Sequence, residues 1–351
     1  MALAPGKPAA YGQGRHGPGS PAPGAGCFGR VSAGPTVSEP RISVVVPAYN
    51  HERWVGATLQ SILEQTFTDW EVVLVDDGSK DGTRQLAEQY LPRFEGKLHV
   101  LSQANAGICR ALNVGVGASR APLIAIIASD DVMLPQRLAL QVAAFEAHPN
   151  AAIIHGAALR IDESGRVTQD MRGTYVPARG ACFEDFMFGR VGVCAPSVAF
   201  RRTLWEELGG FDERYRTEDV PFLLEATSRG HELQFVEEPL VCWRDTGGSL
   251  GKSTATFEAD AIALRERYIP RLPPALQRPA RARWYRYRFR MAALQGHWRG
   301  AGRYLTDSAR GGYLWRDLPH YTVTVAAVCA RQLLPMFLYR KLSALARPRV
   351  G

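Results

Sequence analysis

Three pairs of adjacent acidic residues could do chemistry: Asp76 with Asp77, Asp130 with Asp131, and Glu218 with Asp219. The first two each follow an aliphatic run, "EVVLV" and "LIAIIAS", so a strand that reads as buried is carried to a stop at two charges. A carboxylate in that position is exposed at the mouth of a cleft while the run behind it stays buried, and two such strand ends can face one ligand. Hard oxygens at Asp130 and Asp131 suit Mg²⁺ or Mn²⁺ shared with substrate phosphates. Asp76 and Asp77, beside the turn "GSKDGT", are then free to accept N–H and O–H donors from a base and a ribose. Taken alone, Asp76 reads more readily as a turn or capping residue, and it is the recurrence that points to a ligand. Glu218 and Asp219 open a helix in "TEDVPFLLEATSRG", with Pro221 in its first turn, where a missing N–H is harmless. Acids at a helix start also suit its dipole, so simple capping competes with catalysis there.

The elements that position these groups alternate in type. "ISVVVP" is a short buried strand ended by Pro47, and Val55, Leu59, Ile62 and Leu63 then recur on one helical face. The strand "EVVLVDD" follows, with Ser79 or Asp81 as a cap for a helix carrying Leu86 and Tyr90. "LHVLS" leads through "NAGICRALNVGVGAS" to "LIAIIASDD". This alternation predicts an α/β fold with a mostly parallel, doubly wound sheet. "GVGAS" is too short, and lacks the strand-to-helix setting, for a dinucleotide-binding fingerprint.

Composition bounds the rest. The 351 residues are 46% hydrophobic, enough for a sizeable core. Residues 1–40, rich in Pro, Gly and Ala, read as a disordered tail without the cationic start or apolar segment of a signal peptide. The six cysteines, at 27, 109, 182, 194, 242 and 329, form no CxxC pair, which fits free thiols in a reducing, cytoplasmic setting. Net charge is +8, but residues 251–351 hold 19 Lys or Arg against 5 Asp or Glu, so the basic character is C-terminal. "RARWYRYRFRMAALQGHWRGAGRYL" fits an Arg-rich helical pair packed on the preceding domain or a surface resting on anionic lipid. Nucleic acid is not expected, because nothing in the first domain calls for it. "YTVTVAAVCARQLLPMFLYRKL" is broken by Arg331 and Pro335 and is too short on either side to span a bilayer, although an interfacial helix fits.

The motifs "ISVVVPAYN", "QTFTDWEVVLVDDGSKDGT", "NAGICRALNVGVG", "IIASDD", "CAPSVAFRRTLWEELGGFDERY" and "TEDVPFLLEATSRG" run in an order and spacing that resembles the family 2 glycosyltransferases over about residues 41–245. The resemblance implies a GT-A fold, a Rossmann-like nucleotide-diphospho-sugar domain over residues 41–250, followed by a mainly helical basic extension over 251–351. It further implies an inverting enzyme with a nucleotide-sugar donor, a Mg²⁺ or Mn²⁺ cofactor and a glycan or lipid-linked acceptor, working peripherally on the inner face of the cytoplasmic membrane. Carried over by position, Pro47 and Tyr49 line the nucleotide site, Asp77 bonds the base with Asp76 beside it, Asp130 faces ribose or sugar, and Asp131 ligates the metal. Ala128 stands where the family often has a further Asp. Asp219 becomes the catalytic base, with Glu218 orienting it or contacting the acceptor and Asp212 a weaker acceptor-site candidate. Arg110 and Asn113 either reach the diphosphate or base edge or are ordinary helix-surface residues. A nucleotidyltransferase would want a Gly-rich basic loop where "PAYNHER" stands, and a non-catalytic nucleotide- or glycan-binding relative would have no need of Asp131 and Asp219.

Overall fold

Isoleucine and valine dominate β1 (Ile42–Ala48) and β2 (Trp70–Asp76), and both strands are buried along almost their whole length. β-Branched side chains favour the extended backbone, and covering both faces of a parallel sheet demands such continuous apolar runs. The computed structural model describes residues 39–246, 263–294 and 298–310, with scattered positions between 312 and 325. The tail expected over residues 1–40 lies almost wholly outside the described residues, as does most of the apolar stretch beyond Tyr321.

The first half alternates as the sequence predicts: β1, α1 (Val55–Leu63), β2, α2 (Thr83–Gln89), β3 (Leu98–Ser102), α3 (Ile108–Ala118) and β4 (Leu123–Ile126). β3, β2, β1 and β4 lie side by side and parallel. Ala48 is level with Asp76, and Asp76 with Ser102, so three strand ends open on one line. β4 stops at Ile126, however, and Asp130 and Asp131 sit in the turn before β5 (Val132–Met133) rather than at a strand end.

The second half comprises α4 (Arg137–Ala147), β6 (Ala151–Ile161), β7 (Val167–Asp170), α5 (Phe183–Met187), β8 (Ala199–Arg201), α6 (Arg202–Leu208), α7 (Asp219–Ser228) and β9 (Glu232–Arg244). The full strand order is β3-β2-β1-β4-β8-β6-β9-β5, with β7 on β6. Here the sheet is mixed rather than mostly parallel: β8 runs antiparallel to both β4 and β6, and β5 antiparallel to β9. At three residues, β8 was too short to register as a strand in the sequence.

The sheet carries a core on each face. Along β1, Val45 joins Leu112, Val116, Phe200 and Phe222 on one side, while Val44 and Val46 join Leu59, Leu138 and Val142 on the other, as strand alternation requires. Gly115 explains "NVGVG": a Cβ there would fall 2.4 Å from Val45 Cγ1, so its absence lets α3 rest directly on β1. Further along the chain, Leu264, Tyr268, Ile269, Leu272 and Ala280 return to the same core as Phe222. Two helices follow, α8 (Pro274–Leu294) and α9 (Trp298–Arg310), with a small cluster of their own around Phe289 and Ala293. Among the described residues no helix is long and apolar enough to cross a membrane, and the four described cysteines are free thiols.

Candidate active site

At the open line of strand ends, the turns after β1 and β2 are zipped together. Asn50, in the left-handed region at φ +55°, donates its amide to Ser79 Oγ (2.9 Å) and accepts from the Lys80 amide (2.8 Å). The His51 amide donates to Thr83 Oγ1 (2.7 Å), the Glu52 amide to Asp81 Oδ2 (3.1 Å), and the Gly82 amide to Glu52 Oε2 (2.8 Å). Ser79 is therefore a bridge between loops, not a helix cap, whereas Asp81 also takes the Thr83 amide at the start of α2 (3.0 Å). Pro47 is half-buried on β1, and Tyr49 leaves 41% of its surface exposed at the rim.

Asp76 and Asp77 are both buried but differently used. The Asp77 carboxylate accepts Gln103 Nε2 (2.7 Å), the Ala106 amide (2.9 Å) and the Gly107 amide (2.8 Å), most of the roughly four acceptor positions it has. It anchors the entry to α3, where Gly107 turns at φ +92°. Asp76 makes two long bonds, from the Ser79 amide and Ser102 Oγ, each 3.3 Å.

The Ser129–Asp131 turn is clamped through its backbone. Thr58 Oγ1 donates to the carbonyls of Ser129 (2.9 Å) and Asp131 (2.7 Å). Arg244, at the end of β9, donates its amide to Asp131 Oδ1 (2.7 Å) and its guanidinium to the carbonyls of Asp130 (2.7 Å), Asp162 (3.0 Å) and Glu163 (3.1 Å). The Asp131 side chain is 2% exposed and forms no ion pair among the described residues. Burial, then the neighbouring Asp130, pushes its carboxyl well above the usual range, against the pull of the Arg244 amide and the Arg137 charge. A buried acid with one oxygen engaged by a single amide suits a divalent cation, which would restore its charged form. Among the described residues no cluster of three metal-ligating side chains exists, so substrate and water oxygens would have to complete such a shell. His51 stands beside this turn, its Nδ1 2.7 Å from Ser129 Oγ and its Nε2 4.0 Å from Asp130 Oδ2.

The two halves meet through α3. Asn113 donates to the Phe211 carbonyl and Glu213 Oε1 (2.9 Å each) and accepts from the Phe211 amide (2.8 Å) and Trp205 Nε1 (3.2 Å). Arg110 pairs with the same Glu213 (3.3 Å). Both side chains are thus drawn to the turn that precedes α7. Asp212 is engaged by Arg214 and Arg267, and the Arg214 guanidinium above all holds its carboxyl down at about 2. Glu218, Asp212, Glu213 and Asp219 surround Cys109 closely enough that, after burial, their charges help push its thiol up to about 12.

Glu218 and Asp219 start α7 without a side-chain capping bond, and neither has an ion-pair partner among the described residues. Burial raises both: Glu218 to about 8, with the Asp219 charge adding to the rise, and Asp219 above 3.8 despite the Val220 amide. A cavity of about 570 Å³ lies beside α7, lined by Asp212, Arg214, Phe222, Glu225, Arg267 and Tyr268. Its acids are internally paired, Glu225 with Tyr268, Arg271 and Arg229, and the six acidic-pair residues do not line it.

Residues 43–209 match the family model described as glycosyl transferase family 2. Over that stretch the chain is similar to that family. It is 27% identical over 235 residues to EpsE of Bacillus subtilis (strain 168), itself named as a glycosyltransferase, covering 65% of this chain and 81% of EpsE. The fold is that of S. aureus TarS 1-349 in complex with UDP-GlcNAc, at a TM-score of 0.60 and 20% identity over 83% of this chain and 91% of that one. It is also that of the mannosyltransferase PcManGT from Pyrobaculum calidifontis in complex with GDP-Man and Mn²⁺, at a TM-score of 0.54 and 20% identity over 88% and 84%. The GT-A fold expected from the motifs is therefore present, and the protein is a glycosyltransferase. Thr58, Gln103 and Arg244 escaped the sequence reading: Gln103 lies just past β3 with no local signal, and only β9 pairing brings Arg244 to Asp131.

The acidic pair at α7 predicts a pH-dependent stability. A carboxyl whose folded pKa is raised contributes stability that is complete below its ordinary pKa and is lost as pH rises through the folded one. For Glu218 that window runs from 4.5 to about 8. Glu218→Gln stays neutral throughout, so melting curves of the two proteins should diverge across this window, with the variant melting higher above it. A constant difference would show that Glu218 is not held against its charge.

Proposed function

We propose that this glycosyltransferase moves one sugar, with inversion, from a nucleotide-sugar donor, a UDP-sugar by preference, to an acceptor hydroxyl on a lipid-linked glycan bound for a surface polysaccharide. The observation that carries this reading is Asp219: an acid at the start of α7, without an ion-pair partner among the described residues, following a turn at 211–213 that Asn113 ties to the helix that Asp77 anchors. Tyr49, Pro47 and Asp76 offer a rim, a wall and a lightly bonded carboxylate to a base and ribose.

An acceptor hydroxyl is a poor nucleophile until a positioned group takes its proton as it attacks. Asp219 and Glu218 divide that task, because burial raises both carboxyls and the charge of Asp219 raises Glu218 further, so the pair takes on charge one carboxyl at a time. In this reading Asp219 takes the acceptor proton, and Glu218, held up to about 8, can donate a hydrogen bond to the acceptor. A divalent cation held at the Ser129–Asp131 turn would offset the charge that develops on the departing diphosphate. Arg244 and Thr58 keep that turn in place by bonding its carbonyls, which leaves the Asp130 carboxylate and the second Asp131 oxygen available. The donors in the two neighbouring structures, UDP-GlcNAc and GDP-Man, support a nucleotide-sugar here without selecting one.

The C-terminal helices suit a peripheral seat on an anionic membrane, where a lipid-linked acceptor would be presented. Arg283, Arg290, Arg299 and Arg303 are exposed on them together with Tyr287 and Trp298, the pairing of cationic and aromatic side chains that favours an interface.

Two outcomes follow. Asp219→Asn should lower kcat by about 10²–10⁴ with donor affinity retained, since only proton removal is lost; near-normal turnover by a folded variant would disprove the base. The full-length protein should sediment with phosphatidylglycerol vesicles and lose most of that binding when Arg283, Arg290, Arg299 and Arg303 become Gln. Equal binding by both proteins would remove the membrane role of these helices.

A further inference from the structure

His51 is placed as a ligand would be. Its amide is fixed by Thr83 Oγ1, its ring meets the edge of Trp54 at 5.7 Å between centroids, and its Nδ1 lies 2.7 Å from Ser129 Oγ. Three contacts thus hold an imidazole that remains 28% exposed toward the open edge. The other ring nitrogen, Nε2, lies 4.0 Å from Asp130 Oδ2, whose side chain is also accessible, at 16%.

Two ligand atoms bound to one cation at about 2.1 Å can stand at most about 4.2 Å apart, so this pair is already within reach of a shared ion. In the tautomer whose Nδ1–H donates to Ser129 Oγ, this contact has the form of the bond that orients a metal-bound imidazole and leaves Nε2 to present its lone pair. Asp131, deeper and tied to Arg244, supplies charge behind the pair, while Thr58 holds the carbonyls of both Ser129 and Asp131.

We propose that His51 Nε2 and the Asp130 carboxylate are ligands of the divalent cation at the Ser129–Asp131 turn, with Ser129 orienting the imidazole. This rests on the reading of that turn as the cation seat. It goes further in naming a nitrogen ligand, with a consequence for metal choice. Imidazole suits the later first-row ions, whereas Mg²⁺ prefers an all-oxygen shell, so the site should favour Co²⁺ over Mg²⁺, with Mn²⁺ between them.

The test uses the full-length protein and Mn²⁺ alone. Titration followed by electron paramagnetic resonance gives the affinity, and pulsed measurements on the loaded protein read coupling to a directly bound ¹⁴N. Wild type should bind Mn²⁺ with a ¹⁴N coupling. His51→Gln should lose the coupling and bind at least about tenfold more weakly, and Ser129→Ala about tenfold more weakly, the scale on which second-shell partners act. His51→Asp should recover binding without the nitrogen signal, a rescue that a purely structural histidine would not give. His99→Gln, on exposed β3, should match wild type. Mn²⁺ bound without ¹⁴N coupling, or bound equally by wild type and His51→Gln yet lost in Asp130→Asn, would overturn the role of His51 and leave the cation seat standing. No Mn²⁺ binding by any form would overturn both.

Discussion

Acids held in the fold without a matching cation are the constraint on which this molecule turns. Asp131 is nearly inaccessible, and Glu218 and Asp219 are half-buried at the start of α7, yet none forms an ion pair among the described residues. Withdrawing a carboxylate from water is costly unless something neutralises or solvates it. The surface acids show the usual remedy: Asp170, Asp185 and Asp212 each have an arginine. The cleft acids are solvated instead by amides, as at Asp131, or left to hold their protons, as at Glu218. That arrangement leaves an unmet demand for positive charge or an acidic proton, which a metal-bound diphosphate and an acceptor hydroxyl would satisfy.

Rigid neutral anchors make such a site tolerable. Asp77 shows the contrast: nearly all its acceptor capacity goes to Gln103 and to two amides at the entry to α3, so it behaves as part of the frame. From there α3 rests on β1 through Gly115, and Asn113 grips the turn ahead of α7. One short helix therefore ties the strand-end edge at Asp77 to the turn ahead of Glu218 and Asp219. Arg244 does the same between β9 and the Ser129–Asp131 turn, spending its guanidinium on carbonyls so that it fixes the acids without neutralising them.

Legibility in the sequence followed the range of the interactions. β1 to β4 and the helices between them announced themselves because burial on both faces imposes apolar runs and helical periodicity within a few residues. The three acidic pairs were visible for the same reason, as charges abutting those runs. The mixed second half was not, because β8 has three residues and β9 carries Pro239 and pairs with β6 through three register shifts that hide its alternation. Arg244 meets Asp131 across 113 residues, a contact no local pattern encodes. Arg110 and Asn113, open between ligand contact and helix surface, proved to bond the 211–213 turn, which serves the frame between the two halves.

The most direct test of the cleft's unmet demand for charge is a thermal-shift titration with UDP, GDP, dTDP and CMP, each with and without Mn²⁺, on wild type and Asp131→Asn. Stabilisation by one nucleoside diphosphate that requires both Mn²⁺ and Asp131 is the expected result, and it would also name the donor class. Equal stabilisation with or without the ion, or in the Asp131→Asn protein, would contradict an acid kept unpaired for a metal-bound donor.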